Sequence, residues 1–193
     1  MARRKDHTRE ELTRLAIDAG RQLVVEQGPA ALTARRVAEA IGYTPGTLYN
    51  LFDNIDDLAA AINIGSMATF AGTLEGIASD NPDAESRLRR ISQAYLDFHR
   101  DSPQLWSLLF AVPVNHHSEA YQQAIHRIFD QVIEALRPLS ANADIARRKA
   151  KVLWSTLHGI CLLNQSGKLN VREDDPPEAL VATFLEQFLR TVY

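Results

Sequence analysis

Apolar residues recur at steps of three and four along most of the chain, which is the pattern of amphipathic helices. The first stripe consists of Leu12, Leu15, Ala16, Ala19 and Leu23. Thr8 and Glu11 form a predicted capping box at the start of this helix, and Gly28-Pro29 is expected to end it. The pattern therefore predicts a first amphipathic helix between Thr8 and Gly28.

Two shorter helices are predicted next, with a glycine between them. Thr33 is the expected N-cap of one, and Gly42 closes it in the left-handed conformation that a Cβ resists. Thr44 is the expected cap of the other, with Pro45 at its first position, where the missing N–H costs nothing. The inward-facing positions are predicted to be Val37, Ala38, Ile41, Leu48 and Phe52.

Later in the chain, Asn54 with Asp56 and Asp57 indicates the start of a fourth helix that extends to about Ala78. Further helices are predicted at about 83–100, 103–112, 116–137, 142–167 and 176–192. Because Val-rich alternating runs are absent from the sequence, no sheet is expected. The predicted fold class is therefore all-α, with about nine helices.

The composition is that of a globular protein: 193 residues, 46% hydrophobic and 23% charged. A single cysteine, Cys161, excludes an internal disulfide and a multi-cysteine zinc site. No apolar run approaches the roughly 20 residues of a membrane span, and charged residues follow the basic start where a signal peptide needs apolar ones. We therefore expect a cytoplasmic protein without a membrane segment.

Charge is unevenly distributed, although the net charge is only −3. Residues 1–52 carry eight cationic and six acidic side chains, whereas residues 53–193 carry 13 and 18. This difference favours a small nucleic-acid-binding module joined to an acidic body. The basic run Arg3-Arg4-Lys5 is interpreted as disordered, with an arm that reaches into a DNA groove as the alternative.

Residues 32–58 carry the functional signal: two short helices separated by Gly42-Tyr43-Thr44. This arrangement is typical of a helix-turn-helix, whose first helix crosses the DNA backbone while the second lies in the major groove. Asn50 suits a bidentate contact to adenine. Thr47 could contact a thymine methyl or a phosphate, and Tyr49 could donate its hydroxyl to a phosphate. Ordinary helix packing, with the Tyr49 ring half-buried, is the alternative.

Two arginines, Arg35 and Arg36, occupy the first turn of the second helix, where the helix dipole disfavours cations. A contact to a phosphate or a guanine would explain this departure from local preference. The alternative is a solvated helix face.

The sequence of this segment resembles the DNA-binding domain of the TetR family of bacterial repressors. The matching motifs are Leu32-Thr33, Ala38-Glu39-Ala40-Ile41-Gly42 and Leu48-Tyr49-x-x-Phe52, within a likeness over about residues 8–60. Ile55 stands where the family usually has a phosphate-binding lysine, and Leu51 where it often has His or Tyr. The resemblance implies a DNA-binding domain over residues 1–53 and a C-terminal ligand-binding and dimerisation domain over residues 54–193.

The resemblance and the helix geometry together predict a set of DNA-contacting residues. They are Thr33, Arg35, Arg36, Tyr43, Thr44, Pro45, Gly46, Thr47, Tyr49 and Asn50. Without the usual lysine, phosphate binding is expected to depend mainly on Thr33, Arg36, Thr47 and Tyr49.

The C-terminal region contains a weaker match, because Trp154-Ser155-Thr156-Leu157-His158-Gly159 resembles the Trp-x-x-x-His-Gly signature of one group of TetR-like C-terminal domains. The apolar stripe around it consists of Ile145, Lys149 (by its stem), Val152, Leu153, Leu157, Ile160, Cys161 and Leu163. By resemblance, the last two helices of two chains form a four-helix dimer interface; an intrachain core face is the alternative. The predicted interface residues are Leu157, Ile160, Cys161, Leu180, Phe184 and Phe188.

Aromatic residues are spread through the predicted C-terminal helices, and at helical spacing they are interpreted first as core. In the TetR family the helical bundle encloses an effector cavity, so the resemblance implies that some of them line a pocket. The predicted ligand-binding residues are Phe70, Tyr95, Trp106, Phe110, Tyr121, Phe129, Trp154 and His158. With Tyr95, Tyr121 and His158 as the polar groups, an apolar or aromatic effector is expected.

The predicted function is that of a DNA-binding transcriptional regulator. By resemblance it is a repressor that binds a palindromic operator as a homodimer and is released by its effector through a population shift. No cofactor or metal is expected. One alternative is a TetR-fold protein that acts mainly through protein contacts; the other is a metal-dependent enzyme using His99, Asp101, His116 and His117, which lack metal-ligand spacing.

Overall fold

The computed structural model describes residues 7–80, 83–112, 118–169 and 171–190. Over these residues the chain forms nine α-helices and no strand, so the all-α prediction is confirmed. The helices are α1 (Arg9–Gln27), α2 (Ala34–Ile41), α3 (Pro45–Tyr49), α4 (Ile55–Ser79), α5 (Ala84–Asp101), α6 (Pro103–Ala111), α7 (Glu119–Leu136), α8 (Ala143–Gln165) and α9 (Pro177–Arg190). Single 3-10 turns cover Pro29–Ala31 and Arg137–Leu139.

Side-chain caps explain where several helices begin. Thr8 and Glu11 make the predicted capping box, in which the Glu11 amide donates to Thr8 Oγ1 at 3.2 Å and the Thr8 amide donates to Glu11 Oε2 at 2.9 Å. Asn54 Oδ1 accepts from the Asp57 amide at 3.0 Å before α4, and Asn142 makes the equivalent bond before α8 at 3.0 Å. Each cap satisfies an amide that a helix start leaves unpaired.

The ends of α3 and α8 have local causes. α3 ends at Tyr49, because the amides of Asn50 and Leu51 bond to carbonyls three residues back, at 3.2 and 2.9 Å. α8 ends at Gln165 rather than at residue 167, because Gly167 takes a φ of 66° that no α-helix contains.

The described chain divides into two compact units. One extends to Ala68 and includes Ser102–Ala124, and the other comprises Thr69–Asp101 and Ile125–Tyr193. α4 therefore contributes its first half to one unit and its second half to the other. The assignment of DNA binding to residues 1–53 is a functional division within the first unit and stays a prediction.

In the first unit, α1 packs against α2 and α6, and α2 packs against α3. The buried stripe of α1 consists of Leu12, Ala16, Gly20 and Val24. The predicted Leu23 is only half-buried, so Val24 takes its place in the core. At Gly20 the helix backbone comes close to its neighbours, since a Cβ there would lie 3.0 Å from Ile62 Cδ1 and 3.1 Å from Leu32 Cδ1.

In the second unit, α5 packs against α8 and α9, and α8 packs against α9. The buried side of α8 consists of Ala146, Ala150, Leu153, Leu157 and Cys161. Two residues of the predicted stripe, Val152 and Leu163, are 50% and 42% exposed. These two apolar side chains lie on the outer side of α8 in the single chain, because the neighbouring helices are faced by the buried set instead.

Some predictions concern residues outside the described ranges, namely Arg3, Arg4, Lys5, His116 and His117. Within the described ranges, no helix combines the length and apolar character that a membrane crossing requires. In the same part of the chain, no three His, Cys, Asp or Glu side chains come together in the manner of a metal site.

Candidate nucleic-acid interface

The helix-turn-helix is built from α2, the turn Gly42-Tyr43-Thr44 and α3. Thr33 Oγ1 accepts from the Arg36 amide at 3.4 Å and caps α2, as predicted. Gly42 ends the helix with a φ of 77°, and the following amide of Tyr43 donates to the Ala38 carbonyl at 2.9 Å. The left-handed glycine that the sequence predicts is therefore confirmed.

The start of α3 differs from the prediction in its bonding. Thr44 occupies the N-cap position and Pro45 follows it, but the Thr44 side chain makes no cap hydrogen bond. Its Oγ1 instead lies 3.2 Å from Thr47 Oγ1. The predicted cap position is therefore confirmed, but the hydroxyl is directed at another side chain rather than at a backbone amide.

Most of α3 faces outward. Leu48 is its buried anchor, at 3% exposure. Thr47 is half-buried, and the residues left exposed at and beside the helix are Thr44, Pro45, Gly46, Tyr49 and Asn50. Tyr49 is 56% exposed, so more than half of its surface faces solvent.

Gly46 has no structural requirement for being glycine. A Cβ at this position would meet only Thr44 Oγ1, at 3.8 Å, which is ordinary van der Waals contact. Its backbone is helical, and glycine lowers helix propensity by about 1 kcal/mol relative to alanine. A close approach by another molecule would explain why a residue without a side chain stands here.

The two arginines of α2 are placed differently. The Arg35 side chain is 83% exposed, and its Nε lies 3.9 Å from Glu39 Oε1, a weak contact in water. Arg36 is half-buried, and its guanidinium donates to Gln27 Oε1 at the end of α1. Arg35 is therefore accessible to a phosphate, whereas Arg36 is held against α1.

Tyr43, in the turn, has a partner that sequence reasoning missed. Its hydroxyl lies 2.8 Å from His7 Nδ1, and the two ring centroids are 6.1 Å apart. Both side chains are half-buried. The two residues are 36 positions apart, so no local sequence pattern could have indicated the contact.

Part of the predicted ligand set forms a continuous cluster in the second unit. The Phe70 ring meets Tyr95 edge-on at 6.1 Å between centroids, and the Tyr95 hydroxyl lies 3.3 Å from His158 Nδ1. Trp154 stacks on His158 at 6.0 Å, and Phe129 meets Trp154 at 5.8 Å. We call these residues the aromatic cluster. Its contacts show that each ring already packs within the chain.

The other predicted ligand residues belong to the first unit. Trp106 is 2% exposed and Phe110 is 45% exposed. Their ring centroids lie 5.0 Å apart. Tyr121 is 2% exposed, and its hydroxyl donates to the Leu109 carbonyl at 3.4 Å and accepts from Asn63 Nδ2 at 3.4 Å. Burial raises the pKa of the Tyr121 hydroxyl. The structure thus distributes the predicted set over both units.

Burial disfavours the charged form of two histidines in the second unit. Desolvation lowers the pKa of His99, which is 9% exposed. Desolvation also lowers the pKa of His158, and the nearby charge of His99 acts in the same direction. A neutral imidazole offers one donor and one acceptor, so His158 brings both to the aromatic cluster.

The predicted dimer residues differ in accessibility. Leu157 and Cys161 are 3% and 0% exposed, so both serve the intrachain core and have almost no surface for a second chain. Burial raises the pKa of the Cys161 thiol to about 12, which makes it unreactive. The half-buried members are Ile160, Leu180, Phe184 and Phe188.

Comparison with known proteins identifies the family. Residues 88–188 match the family described as tetracyclin repressor-like, C-terminal domain. Residues 16–62 match the family described as bacterial regulatory proteins, tetR family. The chain belongs to the TetR family of DNA-binding transcriptional regulators.

Individual relatives are distant in sequence. An uncharacterised HTH-type transcriptional regulator of Mycobacterium tuberculosis is 24% identical over 164 residues, which is 85% of this chain and 72% of that protein. A protein of unknown function from Rhodococcus sp. RHA1 has the same fold, with a TM-score of 0.77 and 20% identity over 98% of both chains. The transcriptional regulator FadR from Bacillus subtilis, in complex with stearoyl-CoA, also has this fold. The TM-score is 0.70, with 14% identity over 93% of this chain and 99% of that one.

Proposed function

We propose that this regulator binds a palindromic DNA operator as a homodimer and represses the genes it controls, with α3 as the reading helix. The observation that carries the proposal is the division of α3 into one buried anchor, Leu48, and an exposed polar surface that includes Tyr49 and Asn50. A helix-turn-helix docks its second helix in the major groove through such a surface.

The exposed residues suit distinct contacts. The Asn50 carboxamide matches the paired donor and acceptor of adenine in the major groove. The Tyr49 hydroxyl and the Arg35 guanidinium match backbone phosphates, which set register without reading sequence. Hydrogen bonds within the chain already engage Thr33, Arg36 and Thr47. A phosphate contact by any of these residues would either add to its existing hydrogen bond or replace it.

Selection from a random pool of DNA duplexes tests this proposal, with affinities then measured by fluorescence anisotropy. The expected result is an enriched palindrome with half-sites about 34 Å apart, and an affinity that falls steeply with salt. Tyr49→Phe should weaken binding to the enriched duplex, and a scrambled duplex of equal length is the control. Failure to enrich any sequence would contradict the proposal and favour a protein that acts through protein contacts.

A homodimer follows from the size of the reading surface. A five-residue helix contacts few bases, so a single copy gives little specificity, whereas a two-fold pair doubles the contact. The surface that remains for a second copy includes half-buried Ile160 and exposed Leu163, three positions apart and thus on one face of α8. Half-buried Leu180, Phe184 and Phe188 supply apolar area on α9.

Analytical ultracentrifugation tests the dimer. The unmodified chain should sediment as a dimer, and Leu163→Arg should shift it towards monomer while circular dichroism still reports a helical protein. Gln123→Arg, at an exposed position of α7, is the matched control and should remain dimeric. A monomeric unmodified chain at micromolar concentration would contradict the proposed assembly.

We further propose that a small aromatic or apolar effector binds at the aromatic cluster and lowers DNA affinity. Tyr95 and His158 would supply the polar contacts, and burial lowers the pKa of His158, which disfavours its charged form. The Bacillus subtilis FadR structure contains stearoyl-CoA, which is a finding about that protein. An effector shifts a protein between two conformations only if it binds one of them more tightly than the other. Effector binding and release of the protein from DNA must therefore both be measured.

A panel of phenols, fatty acids and acyl-CoA esters tests this proposal by thermal shift. Compounds that raise the melting temperature should also weaken binding to the enriched duplex, and Tyr95→Phe should reduce both effects. Compounds that stabilise the protein without ever changing DNA affinity would contradict effector release.

A further inference from the structure

The outer side of α8 changes in character along its length. One stripe of exposed and half-buried positions on this side consists of Arg148, Val152, Ser155, Gly159 and Leu163. These positions follow one another at steps of three and four residues, so they lie on one side of the helix. The stripe is therefore charged where α8 begins and uncharged or apolar further along.

The beginning of α8 is basic. Residues 144–151 contain four cationic side chains and one acidic side chain, that of Asp144. Arg147 donates to Asp144 Oδ1 at 2.9 Å, and Arg148 and Lys151 are exposed beside this pair. We call residues 144–151 the basic end of α8.

The opposite end of α8 is followed by an excess of acidic residues. Residues 168–178, which follow α8 and begin α9, contain four acidic and two cationic side chains. The acidic residues are Glu173, Asp174, Asp175 and Glu178, and all four are exposed. Glu178 lies close enough to Cys161 for its charge to contribute, after burial, to the raised pKa of that thiol. Residues 168–178, which we call the acidic end, are thereby tied to the C-terminal part of α8.

The two ends are well separated along one helix. The 18 residues from Arg148 to Ser166 give a rise of about 27 Å. If two copies of the chain paired through parallel α8 helices, each end would meet an end of the same charge. A two-fold axis perpendicular to α8 reverses the second helix, so each basic end meets an acidic end. This surface is therefore complementary in charge to a second copy of itself only when the helices are antiparallel.

We propose that two copies of this chain pair through antiparallel α8 helices, with the basic end of each copy facing the acidic end of the other. This inference rests on the proposed homodimer and adds its direction and the charges that select it. Charge complementarity of this kind determines which orientation two surfaces adopt.

Gly159 is the point at which the two helices approach most closely. It lies near the midpoint between the two charged ends, and a Cβ there would meet nothing within 4 Å in the chain. Glycine is unfavourable inside a helix, and packing within the chain gives no reason for it here. Val152 and Leu163, which are 50% and 42% exposed, lie on either side of Gly159 and provide apolar contact area.

The salt dependence of dimerisation distinguishes the two directions. Sedimentation equilibrium of the full chain between about 50 and about 500 mM NaCl should show a dimer Kd that rises about tenfold, because salt screens the attraction between the ends. Parallel helices would repel each other at both ends, so their Kd would fall with salt. A Kd that falls or stays constant would overturn the antiparallel pairing.

Charge reversal at each end tests the pairing directly. Arg148→Glu/Lys151→Glu makes both ends acidic, and Glu173→Lys/Asp174→Lys makes both ends basic. Each of these variants should therefore raise the dimer Kd about tenfold. All four changes in one chain exchange the two ends, and this variant should return to within about threefold of the unmodified Kd.

A matched control separates this effect from that of net charge. Arg14→Glu/Arg21→Glu, at exposed positions of α1, changes the net charge as much as Arg148→Glu/Lys151→Glu does. The dimer Kd of this control should stay within about twofold of the unmodified value. Circular dichroism melts of every variant confirm that the protein is folded.

Cross-linking tests the geometry without changing a charge. In antiparallel helices that cross at Gly159, positions 152 and 166 come together, because they are equally far from the crossing point on opposite sides. A mixture of Val152→Cys and Ser166→Cys chains should therefore form cross-linked dimers with a short bismaleimide. Either variant alone should not, since its two cysteines are about 21 Å apart along the helices. Cys161 is 0% exposed and does not compete. Cross-linking of either variant alone, or none in the mixture, would overturn this arrangement.

The outcomes distinguish this inference from the proposed function. If the unmodified chain is monomeric at every salt concentration, the proposed homodimer fails and the antiparallel pairing fails with it. If the chain is dimeric but both charge-reversed variants behave like the control, the antiparallel pairing alone is overturned.

Discussion

The proposed reading helix α3 and the aromatic cluster place their functional candidates in opposite environments. Tyr49 and Asn50 are exposed, and the folded chain makes little use of them. Phe70 and Tyr95 instead pack against each other within the second unit. Packing alone already explains why aromatic residues occupy these two positions. When packing does not explain a side chain, a contact with another molecule is the remaining explanation. The exposed residues of α3 therefore support a binding role more strongly than the aromatic cluster does.

The largest effect is expected from truncating the aromatic cluster. Phe70→Ala removes a ring that is 8% exposed and contacts both Tyr95 and Phe98, so it should lower the free energy of unfolding by about 3–5 kcal/mol. Urea denaturation measures this loss. Val152→Ala, half-exposed on α8, should change stability by no more than about 0.5 kcal/mol. A loss for Phe70→Ala as small as the control would mean that the cluster is not core.

Asn50→Ala should affect DNA binding and leave the fold intact. Loss of a bidentate base contact costs about 1–3 kcal/mol, so affinity for the enriched duplex should fall roughly 5- to 150-fold, while stability changes by no more than about 0.5 kcal/mol. Anisotropy and urea denaturation give the two values. Gln93→Ala, exposed on α5, is the matched control. Equal affinities for Asn50→Ala and the control would exclude Asn50 from the interface.

Gly46→Ala separates stability from binding at one position. Because there is room for a Cβ, stability should stay constant or rise by up to about 1 kcal/mol, while DNA affinity falls through the lost close approach. Gly72→Ala, where a Cβ meets nothing within 4 Å, should raise stability by a similar amount and leave DNA affinity unchanged. Unchanged DNA affinity for both variants would remove the functional reason for Gly46.

The smallest effect is a pH dependence of stability that originates in the second unit. Burial lowers the pKa of His99 and of His158 in the folded chain, so the unfolded chain takes up protons first as the pH falls below about 6.5. Stability should therefore decline from pH 7 towards pH 5. Urea denaturation across this range should give a flatter curve for His99→Gln. An unchanged slope would show that His99 does not contribute.

Local features were predictable from the sequence, and features that depend on distant partners were not. The Thr8–Glu11 capping box and left-handed Gly42 depend on residues within a few positions, and both were predicted. The helical period predicted α8, but not that its alanines would face the core and Val152 the solvent, since the neighbouring helices decide this. His7 was missed because its partner, Tyr43, is 36 positions away.

The shortness of α3 has a consequence for how operator preference can change. Five residues are too few for a helix to persist in water by itself, so the helix depends on Leu48 in the core of the first unit. The outward positions beside Leu48 do not contribute to holding α3 against the core. Exchanging them should redirect the protein to other DNA sequences while the scaffold stays as stable as before, so new specificities can arise without compensating changes in the core.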